Sequence, residues 1–258
     1  MKIESHQPIR IFIGVGEASL IERKVLIYSL RKHTRRELEI YVFNGTHNSV
    51  EISGKKPFPA PMPLDLKYRN VTEFSLYRFL VPKLCNGQGK AIYLDSDMLC
   101  LGDIGELFDT SPGEHHFLAK RNALGSFDSG LWDLGVMLIE CSRSCFDLEK
   151  IFEEIDAGIY AYSDFTRMSP EFLKHHPYRV GELDARWNVF DRQERDARLI
   201  HFTNLESQPW KYPNHPYEKI WLQYFREAVD SGEVTERDIE LSRMRSCARP
   251  GLLKKVKL

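Results

Sequence analysis

Apolar residues along this chain fall into short runs of β type that alternate with stretches of helical period. Residues 9–13 form a compact apolar run that stops at Gly14-Val15-Gly16, the pattern of a buried strand entering a tight loop. Ile21, Val25, Leu26 and Leu30 then lie on one face at helical spacing, and residues 39–43 return to a β pattern, which predicts a β-α-β opening. Four prolines (Pro57, Pro59, Pro61 and Pro63) within 53–63 deny regular hydrogen bonding and predict an extended surface loop. A helical segment over 75–84 leads through Asn86-Gly87-Gln88-Gly89 into Ala91-Ile92-Tyr93-Leu94, which reads as a central strand, and 136–139 and 199–202 read as two more. Strands alternating with helices predict an α/β fold with a mainly parallel central sheet, helices on both faces and ligands at the carboxyl ends of the strands.

Composition narrows this modestly. A chain of 258 residues can bury one sizeable core, and the expectation is one domain over 1–240 followed by a basic tail over 241–258. Lys+Arg (36) and Asp+Glu (37) nearly cancel, so no global field favours nucleic acid. The five cysteines include a Cys141/Cys145 pair but no second pair to complete a zinc site, so reduced, buried thiols are expected. No signal pattern and no apolar run of roughly 18 residues is present, which predicts a cytoplasmic protein. The tail carries Arg243, Arg245, Arg249, Lys254, Lys255 and Lys257 without an acid; it could meet an anionic membrane surface or be an ordinary solvated tail.

The sharpest local feature is Tyr93-Leu94-Asp95-Ser96-Asp97, an apolar strand ending in two carboxylates one residue apart. Two acids turned to a common point are tolerable when a cation neutralises them, and hard oxygen ligands suit Mn2+ or Mg2+. The same triplet also occurs in turns whose carboxylates only cap backbone N–H groups. A second element, Leu199-Ile200-His201-Phe202-Thr203-Asn204 followed by Gln208-Pro209-Trp210, favours the metal alternative.

Together these segments resemble the family-8 glycosyltransferases, the group of glycogenin and the bacterial lipopolysaccharide galactosyltransferases. Arg78 in Ser75-Leu76-Tyr77-Arg78-Phe79 stands where that family has a donor-contacting arginine, and residues 101–108 resemble its segment after the acidic triplet. Trp132-Asp133-Leu134-Gly135-Val136-Met137-Leu138 resembles an Asn-x-Gly-Val-Met-Leu block that meets the donor sugar, with Asp133 in place of the Asn. Leu183-Asp184-Ala185-Arg186-Trp187-Asn188 matches a later block ending in Trp-Asn. The family's His-x-x-Gly-x-x-Lys-Pro-Trp becomes His201, Asn204, Gln208, Pro209 and Trp210 with one extra residue, so its diphosphate-contacting lysine is absent and Lys211 or another cation would substitute. The family's Asp-Gln-Asp segment has no clean match; Asp164 and Glu182 lie in the right region.

The resemblance implies a GT-A-type domain and retaining transfer of a hexose from a nucleotide-diphospho-sugar, with uridine the family's usual base. A saccharide or lipid-linked acceptor is implied, as in cell-surface polysaccharide or glycolipid synthesis. Asp95, Asp97 and His201 would hold the metal. Gly14, Val15, Gly16, Glu17, Arg78, Ser96, Gln208, Trp210 and Lys211 would contact the donor, and Arg78, Asp133, Asp164 and Glu182 would serve the reaction. Trp187, Trp210, Tyr212 and Trp221 are candidates for sugar stacking, set against ordinary packing. A sugar-nucleotide-binding protein without transfer is the main alternative. A nicotinamide oxidoreductase is disfavoured because Ser19 replaces the third glycine and the second strand ends in Asn44 rather than an acid. A phosphatase using Asp95 as nucleophile is disfavoured by Met98 and Leu99 after the triplet.

Overall fold

The computed structural model describes residues 7–62, 74–122, 130–191 and 194–252. β1 (Ile9–Val15) is buried along nearly its whole length and leads into α1 (Leu20–His33), where Ile21, Val25, Leu26 and Leu30 are all buried. β2 (Leu38–Asn44) returns parallel to β1, with Ile11 opposite Ile40. β3 (Ser49–Ile52) and β4 (Phe58–Pro59) extend that edge with antiparallel pairs. β4 falls inside the proline-rich stretch expected to be a loop; at a sheet edge Pro59 need not donate a ladder bond. Pro63 lies outside the described residues.

A 3-10 turn at Tyr77–Leu80 and α2 (Val81–Leu84) replace the single helix expected over 75–84. Asn86, Gly87 and Gly89 at positive φ then turn the chain into β5 (Lys90–Asp95). β6 (Met98–Cys100), α3 (Ile104–Asp109), β7 (Phe117–Arg121) and β8 (Trp132–Glu140) follow. Next come α4 (Leu148–Asp156), α5 (Tyr162–Thr166), α6 (Pro170–His175), β9 (Val180–Glu182) and β10 (Val189–Phe190). The described chain closes with β11 (Leu199–His201), α7 (Glu218–Asp230) and α8 (Glu236–Met244).

Among the described residues the main sheet has the order β4-β3-β2-β1-β5-β8-β7-β9, and a separate three-stranded sheet has the order β10-β11-β6. The main sheet is mixed. Parallel pairing joins β2, β1 and β5 and also β7 and β9, whereas β8 runs antiparallel to both β5 and β7. The expectation of a mainly parallel sheet therefore holds for β2, β1 and β5 and fails on either side of them, where β3 and β4 at one edge and β8 next to β5 pair antiparallel.

Alternate residues of β5 serve opposite faces. Ile92 and Leu94 join α1 and α3 in one apolar cluster, while Ala91 and Tyr93 join the 3-10 turn and α4 in another. A third cluster packs α7 and the small sheet against α1 and includes Ala248 and Leu252. The division expected at residue 240 thus falls inside α8, and part of the supposed tail is packed into this cluster. Among the described residues no helix is long and apolar enough to cross a membrane. All five cysteines are free, and Cys85, Cys100 and Cys141 are buried; Cys145 is exposed and Cys247 half-buried, against the expectation for these two.

Candidate active site

Strand alternation puts Tyr93 and Asp95 on the same face of β5. Gly14 of β1 lies opposite Asp95 in register, and a Cβ at Gly14 would stand 2.2 Å from the Tyr93 hydroxyl. Glycine at this position makes room for the Tyr93 ring. Tyr93 Oη donates to Asp95 Oδ1 at 2.9 Å, and Arg78 Nη2 donates to the same oxygen at 3.0 Å. The Arg78 guanidinium also stands over the Tyr93 ring, 4.9 Å from its centre. Burial raises the Asp95 pKa above the ordinary carboxylate value, with Arg78 and His201 offsetting only part of that effect.

The Asp95-Ser96-Asp97 turn carries the chain from the main sheet into the small one. There β11 pairs antiparallel with β6, His201 opposite Met98, and Phe202 N donates to Asp97 O at 2.9 Å. This pairing brings an imidazole from about a hundred residues downstream against the acidic turn: His201 Nε2 lies 3.3 Å from Asp97 Oδ1. Burial works against a charged His201, yet Asp97, Asp133 and Asp95 outweigh it and lift the imidazole to about 9.

Asn188, fully buried after the 3-10 turn at Ala185–Trp187, ties the far side of the ring. Its Nδ2 donates to Asp133 Oδ1 at 2.8 Å, and its Oδ1 faces His201 Nδ1 at 3.0 Å. Since a carboxylate only accepts, the amide NH2 must face Asp133 and the amide oxygen must face His201. Nδ1 of His201 therefore carries a proton and Nε2 is directed toward Asp97. Asp133 Oδ1 also accepts from Gly135 N at 3.0 Å, and Lys120 Nζ donates to Asn188 O at 2.5 Å.

Gly135 sits at the centre of this group. A Cβ there would stand 2.6 Å from His201 Cε1, 3.0 Å from Asp95 Oδ2 and 3.1 Å from Asp133 Oδ1. The bare backbone of β8 thus leaves a space bordered by two carboxylates and an imidazole. Asp95, Asp97 and His201 are neighbours, but among the described residues no group of three His, Cys, Asp or Glu side chains is close enough as it stands to hold a metal. The carboxylate of Asp95 is engaged by Arg78 and Tyr93 instead.

Two cavities open on either side of the acidic turn. One, about 550 Å3, is lined by Gly16 to Ser19, Ser96, Asp97, Lys211 and Arg245, among others. The other, about 210 Å3, reaches Arg78, Asp95, Trp132, Asp133, Gly135 and Arg167. A cavity of about 520 Å3 lies elsewhere, near Pro82, Cys145 and Phe146, away from the acids and His201.

The sequence model of Glycosyl transferase family 8 matches residues 11–146, more than half of the chain. This chain belongs to glycosyltransferase family 8. The glycosyltransferase GlyE of Streptococcus pneumoniae is 22% identical over 175 residues, an alignment covering 61% of this chain and 42% of GlyE. Human glycosyltransferase 8 domain-containing protein 2 is 25% identical over 201 residues, covering 57% of this chain and 56% of the human protein. The matched regions thus span about half of these curated relatives. Among solved structures, the galactosyltransferase LgtC in complex with donor and acceptor sugar analogs superposes with a TM-score of 0.60 at 15% identity, over 88% of this chain and all of LgtC. The crystal structure of apo GlyE gives 0.61 at 15% identity, over 95% of this chain and 65% of GlyE. The fold is the GT-A type of these enzymes.

Within this family-8 chain the other residues singled out from sequence fall into different environments. Gly16, Glu17, Ser96 and Lys211 line the larger cavity, whereas Val15 is a fully buried strand residue. Gln208, only 2% exposed, donates to Phe202 O at 3.0 Å and to Asp97 Oδ2 at 3.3 Å, which ties the acid from behind. Trp210 is fully buried between Phe202 and Trp221, so it presents no ring face to a ligand. Trp187 and Trp221 are also buried, and Tyr212 is exposed. Asp164 is committed to the start of α5: its carboxylate accepts from Ala161 N at 2.9 Å and Ser169 Oγ at 2.7 Å. Glu182 is exposed at the end of the edge strand β9, opposite Ala119. Neither acid is therefore among the groups gathered around Gly135.

In the basic run, Arg245 pairs with Glu17 and Arg249 with Glu218 at 2.7 Å, so both are engaged by acids of this chain. Lys254, Lys255 and Lys257 lie outside the described residues. Sequence reasoning gave no role to Tyr93, Asn188 or Lys120. Tyr93 could have been found from its same-face spacing to Asp95, and Asn188 from its place in the matched Trp-Asn block.

Proposed function

We propose that this chain transfers a hexose, with retention of anomeric configuration, from a uridine diphosphate sugar to a saccharide or lipid-linked acceptor. The observation that carries this reading is the gathering of Asp95, Asp133 and His201 around the Cβ-free position at Gly135, with Asp97 3.3 Å from His201, between two cavities of suitable size. The larger cavity would take the nucleotide against the Gly16 to Ser19 loop, and the smaller one the sugar beside Trp132 and Asp133.

The residues present fit a divalent cation, Mn2+ or Mg2+. The carboxylates of Asp95 and Asp97 are hard oxygen donors and the imidazole of His201 a borderline nitrogen donor; Asn188 leaves Nε2 of His201 as the ligating nitrogen, and no Cβ at position 135 fills the space between Asp95 and His201. To join this set Asp95 would have to give up its bonds to Arg78 and Tyr93. When bound, such a cation supplies electrostatic stabilisation of the negative charge that develops on the departing diphosphate.

The chain's own groups do the rest. Arg78, released from Asp95, offers charge-assisted hydrogen bonds to the donor. Asn188 and Asp133 hold His201 in one tautomer, and Gln208 holds Asp97.

The reading is tested by incubating the protein with a panel of nucleotide sugars in Mn2+ or in EDTA and following release of the nucleoside diphosphate. One uridine-linked donor is expected to turn over only with metal, and Asp97→Ala is expected to abolish this. Metal-independent turnover, or an unimpaired Asp97→Ala, would overturn the metal assignment. Donor binding without hydrolysis or transfer to any acceptor would favour a sugar-nucleotide-binding protein.

A further inference from the structure

The larger cavity contains two cations from distant parts of the chain: Lys211, just after the buried Trp210, and Arg245, at the end of α8. At the position aligned with the family's lysine stands Gln208, which is neutral, buried and already bonded to Phe202 O and Asp97. That position offers no charge to an anionic ligand. Arg245, by contrast, is held at the cavity by the folded segment around it. Arg249 N donates to Trp210 O at 2.8 Å, Arg249 pairs with Glu218, and Ala248 and Leu252 are buried. The Arg245 side chain is 40% exposed and is engaged by Glu17, whose carboxylate and backbone oxygen both accept from the guanidinium.

We propose that Arg245, together with Lys211, binds the diphosphate of the nucleotide donor, and that Glu17 is an internal anion which occupies Arg245 until the donor arrives. This deepens the proposed function and rests on it. A guanidinium presents the same planar fork to a carboxylate as to a phosphate, so Glu17 and the diphosphate compete for one group. Glu17 belongs to the loop that borders the nucleotide cavity, so its release would occur where the ligand enters. The competition sets opposite signs for the two partners: loss of Arg245 weakens diphosphate binding, and loss of the Glu17 carboxylate strengthens it.

The test is calorimetric titration of uridine, UMP and UDP, in Mn2+, into the wild type, Arg245→Gln, Arg245→Lys, Glu17→Gln and the double variant. Arg245→Gln is expected to weaken UDP by about tenfold or more, the scale of a charge-assisted hydrogen bond, while uridine binding is unchanged. Arg245→Lys should recover part of the loss. Glu17→Gln should tighten UDP, and this gain should vanish when Arg245 is also replaced. UDP should also slow alkylation of Cys247, which lines the same cavity, as followed by mass spectrometry. The proposal is overturned if Arg245→Gln binds UDP as the wild type does, if it loses uridine and UDP by the same factor, or if bound UDP leaves Cys247 unprotected. A wild type that binds none of the three compounds would instead bring down the uridine nucleotide reading, and this inference with it.

Discussion

Asn188 makes two hydrogen bonds whose directions cannot be exchanged, because the carboxylate of Asp133 on one side can only accept. The family's usual Asn at position 133 could present either end of its amide, whereas Asp133 cannot, and the orientation of Asn188, and through it the tautomer of His201, follows. Partners that orient a metal-ligating histidine typically matter by about 10- to 100-fold in metal affinity. Asn188→Ala should therefore weaken Mn2+ binding by about that factor, read from the free-Mn2+ electron paramagnetic resonance signal, in a protein still folded by circular dichroism. A variant that binds Mn2+ as tightly as the wild type would show that His201 is oriented without Asn188. A second residue-scale expectation concerns Gly14, where a Cβ would meet the Tyr93 hydroxyl at 2.2 Å. Gly14→Ala should cost about 1 to 3 kcal/mol of stability, as overpacking in a filled site does, and denaturant melts that coincide with wild type would refute this.

At the scale of elements, the start of α1 holds a buried acid. Glu22 occupies the third position of the helix after Ser19, receives a hydrogen bond from that serine, and is only 5% exposed. Burial raises its pKa from 4.5 to about 8, helped by Asp97 and opposed by its backbone hydrogen bond and Lys211. The folded state therefore holds a proton that the unfolded chain releases near its lower pKa. The stability this contributes is fully present below about pH 4.5 and is lost as the pH rises through 8. The loss attributable to this one group is at most about 5 kcal/mol. Glu22→Gln keeps the side chain's size and shape without the titration, so it should be the more stable protein at about pH 9 and should flatten the decline seen in urea melts between about pH 5 and 9. Equal pH profiles for variant and wild type would remove Glu22 as the cause.

The same helix shows what the sequence displayed and what it concealed. β1, α1, β2 and β5 were legible because each combines an apolar period with a turn signal at its end. β6 was not, because Met98 to Cys100 is too short to show a period, yet its pairing with β11 is what delivers His201 to Asp97. The acidic pair and the histidine could thus be named in advance, while the bonds of Asp95 to Arg78 and Tyr93, and the burial of Trp210, depend on packing that no local pattern encodes.

On the scale of the whole molecule, the candidate site joins two bodies: Asp95 ends a strand of the main sheet, and His201 ends a strand of the small sheet. The small sheet is held by the cluster of α7, α1 and the segment after α8, in which Leu252 is 1% exposed. If that segment were a solvated basic tail, truncating one of its side chains would leave stability unchanged. Because it is packed, Leu252→Ala should cost about 2 to 5 kcal/mol, the range for leucine in a protein core. In a chain of this size that corresponds to a fall in melting temperature on the order of 10 °C. The same segment supports Arg245 through the Arg249 contacts to Trp210 and Glu218, so the variant should also lose affinity for UDP at temperatures where it remains folded. Differential scanning calorimetry and titration of the same preparation separate the two effects. An unchanged melting temperature would return residues 245–252 to the status of a tail, and a lowered one with intact UDP affinity would confine the segment to a structural role.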